Sequence, residues 1–545
     1  MLINLKRYCV KLLVLFLVFL ISCSTTPERK NVKLKLRVLH TNDHHGHYLP
    51  DRDGQYGMAA RKTLIDKLRT EIVSDKKGAH LLLSGGDINT GTMESDIFDA
   101  EPDFLGMKFI GYDAMAVGNH EFDNSYEVIL KQKKWASFPF LSANIFWKKN
   151  KKRVFEPAYL VKNFHGVKVG IFGLTTVDTP FKASHDDAKK KFEFRSIIKS
   201  AKEIVGVLKK KEKVDLIIAV THVGHHGSAT SNGDIDLAQK VDGIDVIVGG
   251  HSQEIINAQE HNGTLIVQAE DWGKYVGVLD LYVNQSHQRV DFEYELKPVN
   301  LKKKTPKGKV YVDRKILEDA TLKSFFSTYA FKAEKIGQKV VGEITHTLDG
   351  SRSKVRSQQM AIGQFMGESL RHQVSGVDGV VLNGGSMRAS LNAGKVSRKD
   401  LHNVHPYGNT IAVVKLSSEE FFKYLKNVSK FAIVDPQNII GGYPHFVNMK
   451  LYFKDKKLYK VTAYDGSWKI ENKGNKIAST KKEFTLGTMN FLAKGGDNYP
   501  KLTGNKRYVD TGFMINSAMM NYVEHFKKVK VKPLREKTSN IINGL

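Results

Sequence analysis

Ala114-Met115-Ala116-Val117-Gly118-Asn119-His120-Glu121-Phe122-Asp123 joins a short apolar run to a close-set group of polar side chains. The apolar half reads as a buried strand, and the polar half as the loop that leaves its carboxyl end. The same design recurs four more times. Leu36–Thr41 leads into Asn42-Asp43-His44-His45-Gly46, and His80–Ser84 leads into Gly85-Gly86-Asp87. Leu216–Val220 leads into Thr221-His222, and Val246–Val248 leads into Gly249-Gly250-His251-Ser252-Gln253. Apolar runs alternating with helical stretches from residue 36 to about 301 predict an α/β domain with a largely buried sheet. In such sheets ligands collect beyond the carboxyl ends of the strands.

Those five ends deliver Asp, His, Asn and Gln, which are oxygen and nitrogen donors without thiolate. The set suits hard or borderline divalent cations such as Zn, Mn or Co. Two cations about 3.5–4 Å apart can share a bridging carboxylate and polarise a phosphoryl group. A single His after a strand is more commonly a surface or core residue, so the coincidence of five ends carries the metal reading. Asp43 and His45 stand two residues apart, which puts both on one side of an extended strand end, and His251 and Gln253 repeat the spacing.

These blocks resemble the 5′-nucleotidase family of calcineurin-like metallophosphatases. The likeness lies in Leu39–His47, in Ser84-Gly85-Gly86-Asp87-Ile88-Asn89-Thr90-Gly91, in Gly111–Asp123, in Gly249–Gln253 and in Trp272-Gly273-Lys274-Tyr275-Val276-Gly277. Within the family the chain is most similar to the bacterial periplasmic UDP-sugar hydrolase/5′-nucleotidase branch. The resemblance covers nearly the whole chain after its first residues. It implies an N-terminal metallophosphatase sandwich domain, a linker helix and a C-terminal α/β substrate-binding domain. By the same resemblance Asp43, His45 and Gln253 hold one divalent ion, Asn119, His222 and His251 hold a second, and Asp87 bridges them. His120 and Asp123 form a catalytic dyad in which the His stabilises the transition state and protonates the leaving oxygen.

A metallophosphatase needs a second element to choose its leaving group. Arg352, Arg356 and Arg388 offer guanidinium forks for phosphate oxygens. Tyr407 and Phe491 sit in Gly-containing loops, and the resemblance makes them a clamp around the base. It further assigns Asn409 to the base, Asp497 to the ribose hydroxyls, and the three arginines with Asn383 to the phosphates. The chain departs from the family at Tyr407, where Phe is usual, and at Ala361, where Asn is frequent. It also lacks an insert after Gly-His-Ser-Gln.

The sequence has 545 residues, enough for two or three domains. Net charge is +27, in scattered lysine runs rather than on a basic helix interleaved with aromatics. The runs read as solvated faces, and no nucleic-acid partner is expected. Both cysteines, Cys9 and Cys23, fall in the first 23 residues, which leaves no intrachain disulfide in a mature chain and no Cys/His zinc finger. Lys6, Arg7 and Lys11 precede the apolar run Leu12–Ile21, the pattern of a secretory signal too short to span a membrane. The run ends in Leu20-Ile21-Ser22-Cys23, which resembles the bacterial lipobox and implies a lipid anchor on Cys23.

The expected organisation is therefore a signal peptide over 1–23, a polar tether over 24–35, a catalytic domain over 36–309, a linker helix over 310–335 and a nucleotide-binding domain over 336–545. The expected protein is an extracytoplasmic dinuclear-metal hydrolase of 5′-nucleotides, with UDP-sugars left open as a further substrate class. It is secreted across the inner membrane, anchored as a periplasmic or cell-surface lipoprotein of the outer membrane, and needs no obligate protein partner. Two alternatives stay open: a 2′,3′-cyclic nucleotide phosphodiesterase with 3′-nucleotidase activity, and a non-catalytic nucleotide-binding surface lipoprotein.

Overall fold

The computed structural model describes residues 31–543, except 52, 184, 186, 228–229, 307, 408, 433–439, 475 and 532–540. The expected signal segment, Cys23 and most of the tether lie outside the described residues. Among the described residues no helix is long and apolar enough to cross a membrane.

Two six-stranded sheets form the N-terminal half. In the first, the parallel strands Val32–Thr41, Gly78–Ser84, Ala114–Ala116 and Phe140–Leu141 are extended by the antiparallel pair Tyr275–Asn284 and Arg289–Pro298. In the second, Val167–Thr175, Leu216–His222, Val246–Val248 and Thr264–Ala269 run parallel, flanked by antiparallel Tyr159–Phe164 and Ile255–His261. Leu34, Leu36, Val38, Leu81 and Leu83 from one sheet share a buried cluster with Val169, Ile218, Val248 and Val267 from the other. The outer faces are covered by helices, Met58–Val73 and Glu101–Ile110 on the first sheet and Ile197–Val207 and Asp234–Lys240 on the second. Strands buried on both faces explain why the runs read as continuously apolar rather than alternating.

The first strand begins at Val32, inside the stretch expected to be tether. Lysines alternate with Val32, Leu34 and Leu36 there, which gives the segment a polar composition. In the sheet the apolar side chains are buried, and Lys35 and Arg37 pair with Asp280 on the neighbouring strand.

The helix expected over 310–335 occupies Ala320–Gly337. Asp319 caps it, accepting from the Leu322 N–H at 2.8 Å, and residues 308–311 are instead a strand paired with Lys302–Thr305. Leu322 and Phe326 pack into the N-terminal core, with the Phe326 ring 4.8 Å from that of Tyr48. The other end of the helix meets the second half through the Glu334–Lys399 ion pair.

The C-terminal half is built on a five-stranded sheet in the order Pro444–Val447, Gly379–Asn383, Glu483–Met489, Thr410–Ser417 and Tyr508–Met514. Helices Ala361–Gln373, Ser418–Val428 and Ile515–Phe526 bury Phe365, Phe421 and Met519 in one core that runs from Val341 to Val531. The architecture is thus an N-terminal metallophosphatase-type sandwich followed by a C-terminal α/β unit.

Candidate active site

The five strand ends converge. Parallel pairing places Thr41 beside Ser84 and Ser84 beside Met115 in one sheet, and Val248 beside Val220 in the other. The loops that follow meet at one edge of the sandwich. Gly85 and Gly250 let them touch: a Cβ at Gly85 would stand 2.5 Å from the Gly249 carbonyl oxygen, and one at Gly250 would stand 2.5 Å from that of Gly85.

Donor atoms of Asp43, His45 and Asp87 lie together in one group, and those of Asp87, His222 and His251 in another, with Asp87 common to both. His222 Nε2 is 2.8 Å from Asp87 Oδ2, and His45 Nε2 is 3.9 Å from the same oxygen. His251 Nδ1 lies 3.2 Å from His222 Nε2, and Gln253 Nε2 lies 3.1 Å from His45 Nε2. Asn119 is buried, and its Oδ1 has no hydrogen-bond partner. A buried amide oxygen without a partner is costly, and a cation would satisfy it. The donor set therefore fits two divalent ions around a shared carboxylate.

Backbone geometry marks the same residues. Asp43, His45, Asp87, His251 and Gln253 all have positive φ, between 48° and 77°. Such positions cost about 1–3 kcal/mol each and persist only where the surroundings over-determine them. Here the loops are held by side chains as well as backbone. Asn42 donates to Asp43 Oδ2 at 2.7 Å and accepts from the Ala269 N–H at 2.9 Å, and the Trp272 N–H donates to the Asp43 carbonyl at 2.7 Å.

Charges in the cluster compensate one another. Burial raises the Asp43 carboxyl above its usual range. Burial acts the same way on Asp87, but His222, His120 and His45 outweigh it and hold that carboxyl well below the usual range. Burial opposes the charged form of His222, yet Asp87 and Asp43 push it up to about 9. His120 is pushed up to about 10, again against burial, by Asp123 and Asp87. Divalent ions would take over the role of these protons, so metal binding would release them.

His120 Nδ1 lies 2.5 Å from Asp123 Oδ2, and its backbone N–H donates to Asp87 Oδ1 at 2.9 Å. The ring is thereby fixed in position through Nδ1, and Asp123 favours its charged form.

The eight expected substrate-binding residues lie in the C-terminal half. Seven of them line a cleft of about 820 Å³ between the halves: Arg356, Asn383, Arg388, Tyr407, Asn409, Phe491 and Asp497. Arg352 is exposed on the short helix just before Arg356 and does not line it. Tyr407 and Phe491 are 39% and 42% exposed, unlike most aromatics of this chain, so their faces are available. Gly496 permits the Phe491 position, since a Cβ there would stand 2.5 Å from the ring. Asn383 donates to Asp497 Oδ2 at 2.6 Å, while its own Oδ1 is buried without a partner. Arg356 Nε is also buried without a partner, and the charges of Arg352 and Arg388 bear on it. Clustered cations with unused donors make an anion site.

The wall of the cleft on the N-terminal side includes Gly46, His47, Gly91, Thr92 and Trp272, and none of the expected metal ligands lines it. The His47 and Trp272 rings stack at 4.2 Å. Sequence motifs assign no role to these two residues or to Asn42, because the contacts that set them apart, His47 on Trp272 and Asn42 with Ala269, join residues more than 200 positions apart.

Residues 36–254 match the calcineurin-like phosphoesterase family, and residues 340–504 match the 5′-nucleotidase C-terminal domain family. The chain is 40% identical to a 5′-nucleotidase of Vibrio vulnificus over 543 residues, covering 94% of this chain and 95% of that one. The chain belongs to the 5′-nucleotidase family. Another member, protein UshA of Escherichia coli, is 38% identical over 520 residues, covering 90% of this chain and 91% of that one. Among solved structures, NAD nucleotidase of Haemophilus influenzae superimposes with a TM-score of 0.72 at 22% identity over 94% of this chain and 99% of that one, a likeness of fold. A 5′-nucleotidase precursor of Thermus thermophilus superimposes with a TM-score of 0.54 at 26% identity over 94% of this chain and 99% of that one. As a member of the 5′-nucleotidase family, the chain is a phosphoester hydrolase.

Proposed function

We propose that this 5′-nucleotidase-family hydrolase removes phosphate from 5′-nucleotides with a pair of divalent cations, and that UDP-sugars are a second substrate class. The observation that carries the reading is the pair of donor groups that share Asp87. Two cations bound there would polarise a phosphoryl group and make water nucleophilic at neutral pH. In this reading Asp43, His45 and Gln253 serve one ion and Asn119, His222 and His251 the other.

His120 meets the charge that develops on the phosphoryl oxygens and gives its Nε2 proton to the leaving oxygen. Asp123 keeps the other ring nitrogen protonated. Arg352, Arg356 and Arg388 bind phosphate, Asn383 and Asp497 hold the ribose side, and Tyr407, Phe491 and Asn409 take the base. The clamp residues belong to residues 336–545 and the metal ligands to residues 36–309, so these act as two domains that must approach each other. The helix over Ala320–Gly337, fixed on the catalytic side by Phe326, is the pivot region of that motion.

The N-terminal pattern supports export and a lipid anchor on Cys23, in keeping with a nucleotide scavenger outside the cytoplasm. The relative named 5′-nucleotidase agrees with the substrate reading. Phosphate release from 5′-AMP, 3′-AMP, a 2′,3′-cyclic nucleotide and UDP-glucose, each with Zn, Mn and Co, tests it. Preference for 3′-AMP and the cyclic nucleotide over 5′-AMP would replace this proposal with the phosphodiesterase reading.

A further inference from the structure

Glu121 follows His120 directly but does not join the dyad. It is fully buried and turns away from the dyad toward the backbone of two loops. Its Oε2 accepts from the Gly118 N–H at 2.6 Å and from the Asp87 N–H at 3.1 Å. Its Oε1 accepts from the Ile88 N–H at 2.8 Å. One carboxylate therefore ties the loop that carries Asp87 to the loop that carries Asn119.

The two loops approach closely enough that this tie matters. A Cβ at Gly118 would stand 2.1 Å from Asp87 Oδ1. Asp87 itself has φ of 54°, a conformation its own side chain does not favour. Two further hydrogen bonds cross the same gap, from the His120 N–H to Asp87 Oδ1 at 2.9 Å and from Asn89 Nδ2 to the His120 carbonyl at 2.6 Å. Both run through the segment that Glu121 anchors.

We propose that Glu121 is a positioning residue for the metal pair: its carboxylate clasps the Asp87 and Asn119 loops at the separation that lets Asp87 bridge both ions. The inference rests on the two-metal reading above. Three backbone N–H donors converge on one side chain, and an ionised carboxylate is the acceptor-only group that satisfies all three. A glutamine has the same shape but only one acceptor oxygen, and its amide would turn N–H groups toward N–H groups. An aspartate keeps the charge but withdraws the oxygens by one methylene. Outer-shell partners of this kind typically change metal affinity about 10–100-fold when replaced.

The test compares the full chain with Glu121→Gln, Glu121→Asp and Asp87→Asn. Metal-stripped protein is titrated with Mn²⁺, following ion binding by calorimetry and coupling of the two ions by electron paramagnetic resonance. Melting temperature is recorded for each. The expected result is that Glu121→Gln stays folded, binds its second Mn²⁺ about 10–100-fold more weakly, and loses the coupled signal at metal levels that saturate the unaltered chain. Glu121→Asp should fall between the two and carries the comparison if the Gln variant is recovered unfolded.

A wild-type chain that binds a coupled pair, beside a Gln variant that binds it equally well, overturns the inference alone. A lowered melting temperature with unchanged metal affinity does the same, since it assigns Glu121 a merely structural role. A wild-type chain that binds no pair, matching Asp87→Asn, overturns the metal reading and this inference with it.

Discussion

Gly512, in the C-terminal half, packs directly on His120 of the proposed dyad: a Cβ at position 512 would stand 1.7 Å from His120 Nε2. The imidazole cannot step aside, because it is buried and Asp123 holds its other nitrogen. The strand Tyr508–Met514 thus covers the nitrogen that the proposed mechanism assigns to the phosphate, while the proposed clamp residues face the His47–Trp272 wall. In this arrangement the proposed clamp and dyad do not address one substrate, so the proposed mechanism requires the halves to shift.

Replacing Gly512 with Val should therefore push the halves apart. Its φ of +72° adds backbone strain, so a modest fall in melting temperature is expected as well. Small-angle scattering should show a larger radius of gyration than for the unaltered chain. Superimposable scattering curves would mean that the contact is not what sets the resting arrangement.

His120→Asn removes the proton donor and leaves the seven proposed ligands in place. The expected loss is about 10²–10⁴-fold in kcat, with the metal content of the purified protein unchanged. Asp123→Asn should show a smaller loss, because the ring keeps Nε2 but loses the carboxylate that holds it charged. Near-normal turnover in His120→Asn would remove the dyad from the mechanism.

Tyr407→Ala and Phe491→Ala should each weaken substrate by about 1–3 kcal/mol, read as a rise in KM of roughly five- to 150-fold. Tyr407→Phe should be nearly silent, since the stacking face is retained. The double alanine variant should cost less than the sum of the singles, because one ring without its partner no longer encloses the base. An alanine at either site with an unchanged KM for 5′-AMP contradicts the clamp.

Acid should destabilise the C-terminal half through two buried rings. Burial pushes His405 and His445 each down to about 4, below the ordinary imidazole value of about 6.5. Above pH 6.5 both rings are neutral in the folded and unfolded chain, and neither costs stability. As pH falls from 6.5 toward 4, the unfolded chain binds protons that the folded chain refuses, and stability is lost. The melting temperature should drop over that window. His445→Gln, which keeps a donor toward the Val355 carbonyl now bonded at 2.8 Å, should show a shallower drop. Equal slopes for both proteins would rule out this contribution.

The sandwich was legible because five of its buried parallel strands are short apolar runs that lead into ligand-type side chains, as at Val117-Gly118-Asn119. What was illegible is long-range. Val32 and Leu34 belong to the first strand, but their neighbours Lys33 and Lys35 disguise them until Asp280 is seen opposite. The connecting helix starts at Ala320 rather than 310 because Asp319 caps it and residues 308–311 find a strand partner. The expected ligands come together in space, yet nothing local announces that Ala269 anchors Asn42 beside Asp43 or that Gly512 rests on His120. The cleft between the halves depends on how two folded units meet, which strand patterns do not encode.

If scattered loops hold two cations around Asp87, the metal stoichiometry of the protein reports them. Elemental analysis of the protein loaded with Mn²⁺ and freed of excess should give two ions per chain, falling to one or none in Asp87→Asn together with loss of phosphate release from 5′-AMP. Full phosphate release from a chain that carries no bound ion, or two tightly held ions in Asp87→Asn, would contradict it.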